Sequence, residues 1–563
     1  MKKLLLFLCV YISVLFATAQ SPTFQWAKSM GGTGYDQGWS ITTDELGNVY
    51  TTGRFQGTVD FNPGSGVFNL ISVGSYDIFI SKLDVFGNFV WAKSIGGTSG
   101  DIANSIGVDG SGNVYTTGYF DGNVDFDPGI GTFNMTASVG SMFISKLDIA
   151  GNFVWAKNIG STLSNWANSI EIDDSNDLYI TGLFQGTADF DPDMGVYNLT
   201  SAGDYDVFIL KLNFNGNFIW AKNMGGTGRE EAVSIVVDAS KNIYTTGHFD
   251  ANADFDPGVD TFNLSPLGGG EFISKLDAFG NFVWAKKIEG TWIFNTNSIG
   301  VDSLGNVFLT GSFYDTVDFD PGVGSYNITS NGGSDIFIEK LDANGDFLWA
   351  RRLGSSDYDQ GFSIAVDLAG NSYTTGEYDG TISFVTASGW ITLNSISGST
   401  DIFISKFDTS GDCVWASSLG GTSTDFGHSI AIDTSGNLYT TGYFKLTADF
   451  NPGSGTSNLV SVGGEDVFVH KMSQPFVGIE ENIKTDKIAI FPNPNNGVFN
   501  IFTSQQIKDG SIEIYNSIGK LVLSQKITSQ QNSIDLKNHA SGLYFVKVIS
   551  DGEVVGMKKV VKE

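Results

Sequence analysis

Apolar and polar positions alternate along this chain in short runs separated by turn residues. One stretch shows the pattern in full: SIGVD (Ser105 to Asp109), NVYTTGYF (Asn113 to Phe120), MFISKLD (Met142 to Asp148) and FVWAKNI (Phe153 to Ile159). Each run is β-branched and aromatic, and turn signals bound it, so each predicts a strand. The first two are joined by DGSGN and the last two by DIAGN. In such turns Asp accepts hydrogen bonds from the turn backbone and Gly takes the positive φ, which makes tight hairpins. The expected unit is a four-stranded antiparallel sheet. It recurs: the Trp of the last strand stands at Trp26, Trp91, Trp155, Trp220, Trp284, Trp349 and Trp415, with spacings of 65, 64, 65, 64, 65 and 66. A fixed period of this kind marks a repeat architecture.

A sheet that is apolar on both faces needs a cover on each, and identical neighbours supply it as a line or as a ring. The chain enters with TFQWAKSM from Thr23, a fourth-type strand with no unit before it, and its last unit stops after DVFVHKM (Asp466 to Met472) without a Trp strand. The first strand can complete the last sheet. The expected fold is all-β: a seven-bladed β-propeller of four-stranded antiparallel blades over residues 22–472, closed by the N-terminal strand. The unit resembles bacterial β-propeller repeats of the SBBP type and is distantly similar to NHL and WD-repeat blades.

In such a blade the second-to-third loop and the crossover to the next blade share one face. That loop carries VDFDPG (Val124 to Gly129), written again as VDFNPG from Val59, ADFDPD from Ala188, ADFDPG from Ala253, VDFDPG from Val317 and ADFNPG from Ala448. Asp125, Asp127, Asp189, Asp191, Asp254, Asp256, Asp318 and Asp320 are candidate Ca²⁺ ligands. Calcium takes six to eight oxygens, so backbone carbonyls or crossover acids would have to complete each site. The other reading has the first Asp ending a strand and the second opening an Asx-type turn. Repetition, and the Asn replacements at Asn62 and Asn451, favour the turn.

Function is expected where copies disagree. After the shared Thr-Gly segment stand Arg54, Tyr119, Leu183, His248, Ser312, Glu377 and Tyr443, and the crossovers bring Trp39, Trp166 and Trp292. Trp39, Arg54, Trp166, His248, Trp292, Glu377 and Tyr443 are the candidate contacts to a glycan or protein ligand, the tryptophans through stacking. Packing between blades is the alternative use of those rings. The repeated lysines, Lys82 and Lys146 among them, read as structural.

The formal net charge is −30, and residues 484–563 contribute about +3, leaving about −33 on the rest. This argues against nucleic acid or an anionic membrane as partner. Residues 1–19 have two lysines, an apolar run of 13 residues and Ala17-Thr18-Ala19, the layout of a secretory signal peptide cut before Gln20. The run is shorter than the roughly 20 residues of a membrane-spanning helix, so the mature chain is expected without one. Cys9 leaves with the signal and Cys413 has no partner, so no disulfide is expected. With four histidines in non-equivalent positions, four arginines and no G-x-S-x-G, H-E-x-x-H or phosphate loop, no catalytic residue is assigned. A polysaccharide lyase or hydrolase using Glu230, Glu231 or Glu377 is the rival reading, and a purely structural spacer is a third.

After residues 473–486, a linker, the charge turns positive and a new set of short strands begins, expected as a small Ig-like β-sandwich over 487–563. FPNPNNG (Phe491, Pro492, Asn493, Pro494, Gly497), IYNSIGKLV (Gly519), SGLYFVKV (Gly542, Tyr544) and a lysine-rich end carry a resemblance to the C-terminal sorting domain of the type IX secretion system of Bacteroidetes. The resemblance implies export through the periplasm and outer membrane by that machinery, removal of the domain, and release or attachment at the cell surface.

Overall fold

The computed structural model describes residues 21–474 apart from 267, 387–388 and 397, and residues 488–562 apart from 492–496, 504–509, 517–519, 528 and 551–552. The signal-peptide reading therefore lies outside the described residues. Every helix or strand among those described is a strand. The chain divides into two compact units between Pro475 and Phe476.

The first unit repeats one sheet. In the first repeat Gln37–Thr43, Val49–Phe55, Asp77–Leu83 and Phe89–Ile95 pair antiparallel in chain order. The second repeat does the same with Ile102–Val108, Val114–Asp125, Asn134–Leu147 and Phe153–Ile159. Its turns form as the sequence implies. Asp109 Oδ1 accepts the Ser111 and Asn113 backbone N–H groups, its Oδ2 accepts the Tyr115 hydroxyl at 3.0 Å, and Gly112 and Gly151 take φ of 80° and 78°. The order recurs to the last repeat, where Phe426–Ile432, Asn437–Phe444 and Asp466–Ser473 are joined by Thr23–Gly32 as fourth strand, with Lys28 opposite Val469.

Three interlocks hold neighbouring sheets together. In the first, a serine on each innermost strand accepts an isoleucine N–H from another repeat: Ile106 to Ser40, Ile170 to Ser105, Ile235 to Ser169, Ile299 to Ser234, Ile364 to Ser298 and Ile430 to Ser363, all at 3.2–3.3 Å. Ile41 N–H reaches back to Ser429 at 3.3 Å, so the series closes on itself. In the second, the segment that opens the acidic loop is laid on the end of the preceding sheet's outer strand in several repeats, as Gly31 opposite Asp60, Gly225 opposite Asp254 and Gly420 opposite Asp449. The loop's Phe is driven fully into the core: Phe126 lies 5.2 Å from the Phe120 ring and 5.1 Å from Phe143. In the third, the repeated Trp crosses to the next repeat's turn, Trp91 Nε1 donating to the Ile149 carbonyl at 3.1 Å. Trp26 and Lys471 both donate to the Val85 carbonyl, which ties the first strand and the last repeat to the first. The repeated lysines lie over the core tyrosines, Lys146 Nζ 4.8 Å from the Tyr115 ring. Their aliphatic stems are buried and their charge is screened by a ring face and a nearby turn aspartate.

The second unit has two antiparallel sheets. Ile488–Phe491, Val498–Thr503 and Gln531–Asp535 form one; Leu521–Lys526, Ser511–Asn516, Gly542–Ser550 and Glu553–Lys562 form the other. Alternate residues from both, Phe499, Ile501 and Ile534 from the first and Ile512, Ile514 and Val546 from the second, bury one shared core.

Candidate functional site

The loop acids are consumed by their own backbone. Asp125 Oδ1 accepts the Asp127 N–H at 3.1 Å and the Phe133 N–H at 2.8 Å, and Asp127 Oδ1 accepts the Gly129 N–H at 2.8 Å. Asp189 and Asp191, Asp254 and Asp256, and Asp318 and Asp320 repeat this pattern, with Asp193, Gly258 and Gly322 as the last donors. Asn62 and Asn451 make the same bond to Gly64 and Gly453 without a charge. Among the described residues no group of three or more His, Cys, Asp or Glu comes together as a metal cage.

One row of residues changes from repeat to repeat, being Gln37, Arg54 and Ile78 in the first, Asn295, Ser312 and Ile336 in the fifth and Gln360, Glu377 and Ile402 in the sixth. At the loop end of each sheet, the first, second and third strands place three residues side by side. In the second, third and last repeats these are Ile102, Tyr119 and Met142, then Trp166, Leu183 and Val207, then Phe426, Tyr443 and Val467. In the fourth they are Glu231, His248 and Glu271. His248 is held from both sides, Nε2 2.6 Å from Asp250 Oδ1 and Nδ1 3.2 Å from Glu271 Oε1. The hydrogen bond to Glu271 leads the causes that push the imidazole up to about 9, so it is a cation at neutral pH. Glu271, only 1 % exposed, also accepts the Thr296 N–H at 3.0 Å. Arg229 closes the other side: its guanidinium binds Glu231 at 2.8 Å and lies 5.3 Å from the centre of the Tyr205 ring. These side chains and Asn297 line a cavity of about 400 Å³.

The remaining candidates fall into separate places. Trp39 and Arg54 meet, the guanidinium 5.0 Å from the indole centre, and both hydrogen-bond the Gln37 side chain. Trp39 is half-buried, and its ring lies 6.3 Å from His428. His428 is also 5.5 Å from Tyr443 and 5.2 Å from Phe362, and burial with the nearby Arg54 charge holds its imidazole down at about 4. Tyr443 stacks on Phe426 at 4.8 Å. Glu377, 7 % exposed, is pushed up to about 8 by burial and the neighbouring Asp359 and Asp379. Trp166 is 43 % exposed and packs 5.1 Å from Tyr119. Trp292 is on the strand Phe282–Val301 opposite Tyr314, its side chain outside the described residues. Of the acids considered for catalysis, Glu230 is fully buried and accepts the Gly226 N–H, Glu231 is paired with Arg229, and Glu377 belongs to the sixth repeat.

Sequence reasoning missed Glu271. Its signal was in the third-strand column, where Ile78, Met142, Val207, Ile336, Ile402 and Val467 are its equivalents. The crossover acids, weighed in the sequence as helpers to a calcium site, have another use. Asp36, Asp101, Asp359 and Asp425 are fully buried, and each accepts a backbone N–H four residues back, from Gly32, Gly97, Ser355 and Gly421.

Comparison with known proteins gives these features a family. Residues 25–54, 90–124, 348–379 and 414–443 match a β-propeller repeat, and residues 489–563 match a secretion system C-terminal sorting domain. The chain carries β-propeller repeats and a type IX sorting tail. An uncharacterized WD repeat-containing protein of Acanthamoeba polyphaga mimivirus is 25 % identical over 75 % of this chain, and the regulatory protein FlaEY of Caulobacter vibrioides 25 % over 66 %. The chain spans 36 % and 37 % of the length of these two relatives. Among solved structures, a fungal alcohol oxidase of the AA5 family in complex with copper is 11 % identical, covering 96 % of this chain and 99 % of that one, at a TM-score of 0.35. PorZ, a surface component of the type IX secretion system of Porphyromonas gingivalis, is 10 % identical, covering 95 % and 100 %, at 0.14. Neither score carries an argument. The sorting tail marks the chain for export to the cell surface or extracellular space, and among the chain's described residues no helix is long and apolar enough to cross a membrane. In that tail Tyr544 is buried with its hydroxyl on the Ala540 carbonyl, and Gly497 takes φ of 98°. Pro492, Asn493, Pro494 and Gly519, and the Phe491 side chain, lie outside the described residues.

The crossover acids give the propeller repeats a defined pH response. Burial is the largest cause that pushes Asp36 and Asp425 up to about 7, and Asp101 and Asp359 to about 6. Unfolded, such groups release their protons near pH 4. The folded chain therefore holds protons that the unfolded chain has lost, and their contribution to stability, full below about pH 4, is lost as the pH rises through 6 to 7. The melting temperature of the mature chain should be higher at pH 5.5 than at pH 8, and a flat or rising profile over that interval would contradict this.

Proposed function

We propose that the chain is an exported binding module. In this reading residues 22–472 are a seven-bladed β-propeller closed by the N-terminal strand, 473–486 are a linker, and 487–563 are an Ig-like sandwich that engages the type IX secretion machinery. The loop face of the propeller holds a glycan or protein ligand. One observation carries the reading: at the third-strand position where the other repeats place Ile, Met or Val, the fourth repeat places Glu271, which joins Glu231 and His248 in an ionic row beside an open cavity. Buried charge costs stability unless it is paired, and an aliphatic side chain would serve the fold there as well. The row is kept for what it contacts. The Asp-Phe-Asp-Pro-Gly loops are in this reading buckles between blades, their carboxylates occupied by backbone N–H groups.

Two measurements test the parts. Removing residues 489–563 should leave the protein inside the cell, read by immunoblot of medium, surface and lysate fractions; unchanged surface or medium levels would remove the sorting role. Melting in EDTA and then in millimolar Ca²⁺ should give the same midpoint to within about 1 °C. A saturable rise would instead make the acidic loops calcium sites, because an ion that binds only the native state stabilises it by mass action.

A further inference from the structure

The cavity of the fourth repeat says what kind of ligand suits it. Every charge on its wall already has a partner: Arg229 is on Glu231 at 2.8 Å, and His248 is on Asp250 at 2.6 Å and on Glu271 at 3.2 Å. An ionic ligand would have to break one of these pairs, leaving the abandoned group desolvated and alone. The chain's net charge of −30 further repels an anion before it arrives. A neutral hydroxyl meets neither obstacle. It both donates and accepts, so it bridges a carboxylate oxygen of Asp250 or Glu231 and an N–H of Arg229 or Asn297 while the pairs stay intact.

The third repeat braces the cavity wall. Asn168 of the third repeat donates from Nδ2 to Glu231 Oε1 at 3.1 Å, joining that repeat's inner strand to the cavity wall. A wall of converging donors and acceptors matches the hydroxyls of a pyranose ring, each of which can donate and accept at once. At about 400 Å³ the cavity is near the small end of ligand sites, which run from roughly 300 to 1,000 Å³. It suits a sugar unit or two at a time rather than a buried long chain.

Building on the binding-module reading above, we infer that the cavity between Arg229, Glu231, His248, Asp250, Glu271 and Asn297 binds a neutral carbohydrate. The ionic pairs serve as a rigid array of donors and acceptors and take no part in bond breaking. The imidazole, bonded at both nitrogens, has no lone pair to act as a base.

The test uses the full mature chain and isothermal titration with neutral gluco-, xylo-, manno- and galacto-oligosaccharides of two to four units, with oligogalacturonates of the same lengths as the ionic comparison. At least one neutral series should bind saturably, and the uronates at least tenfold more weakly. The double variant His248→Tyr, Glu271→Ile installs side chains that other repeats carry at these positions, so it should melt no lower than the parent while its affinity falls tenfold or more. The inference is overturned if no neutral series binds, if the uronates bind more tightly, or if the double variant binds as the parent does. Binding of a protein or a uronate that other crossover substitutions abolish would sink this inference and leave the binding-module reading standing. A chain that binds neither panel, and whose attachment to whole cells is indifferent to every crossover substitution, would sink both.

Discussion

A sheet that is apolar on both faces cannot be left at the end of a row. The third strand of these repeats states the constraint: in Asp206–Leu212 every residue is buried, whichever way it points. Each sheet therefore requires two neighbours, and only a closed series gives every sheet both. The closing contacts are specific. Thr23–Gly32 supplies the outer strand of the last repeat, Ile41 donates to Ser429, and Trp26 and Lys471 share the Val85 carbonyl. The loops stand on this frame, so the side chains at the strand ends have a fixed background on which a single altered repeat can form a cavity.

The frame also changes the meaning of the chain's acidity. Composition alone invites a search for cations, yet most acids traced here end on backbone N–H groups. Asp109 and its equivalents cap hairpins, Asp125 and Asp127 close their loop, and Asp36 and Asp101 hold crossovers. A β-protein with many tight turns needs acceptors at each, and Asp supplies two oxygens on a short stem. The net charge is in large part a by-product of turn chemistry. Glu231, Asp250 and Glu271 of the fourth repeat differ because a cationic side chain partners each.

Much of the fold was legible because each repeat writes the same local instructions. The tryptophans gave the period, D-x-x-G-N gave the hairpins, and the unpaired strand at Thr23 pointed to Asp466–Ser473 as its partner. The short strands flanking the loops were less legible, since their pairing with the preceding sheet, as Gly31 with Asp60, is a contact between residues far apart in the repeat pattern. The site was legible in part. His248 stood out in its column, but its role depends on Asp250, two residues on, and on Glu271 across a strand, and only cross-strand register shows that these three meet. Trp39, Arg54 and Tyr443 stood out one by one in their columns, and only the structure shows that they gather around His428.

Closure by the N-terminal strand is the claim on which this account rests, and a crosslink tests it directly. Thr23 and Ser473 are paired across the closing strands, and Cys413 is the free thiol among the described residues, buried and replaced by alanine for the test. In the Cys413→Ala background, Thr23→Cys with Ser473→Cys should form a disulfide quantitatively under mild oxidation and raise the melting temperature of the propeller, because it closes a loop of nearly the whole domain in the unfolded chain. Thiols that stay free under the same oxidation in the folded protein would mean that the first strand does not complete the last sheet, and the closed series of sheets would have to be abandoned.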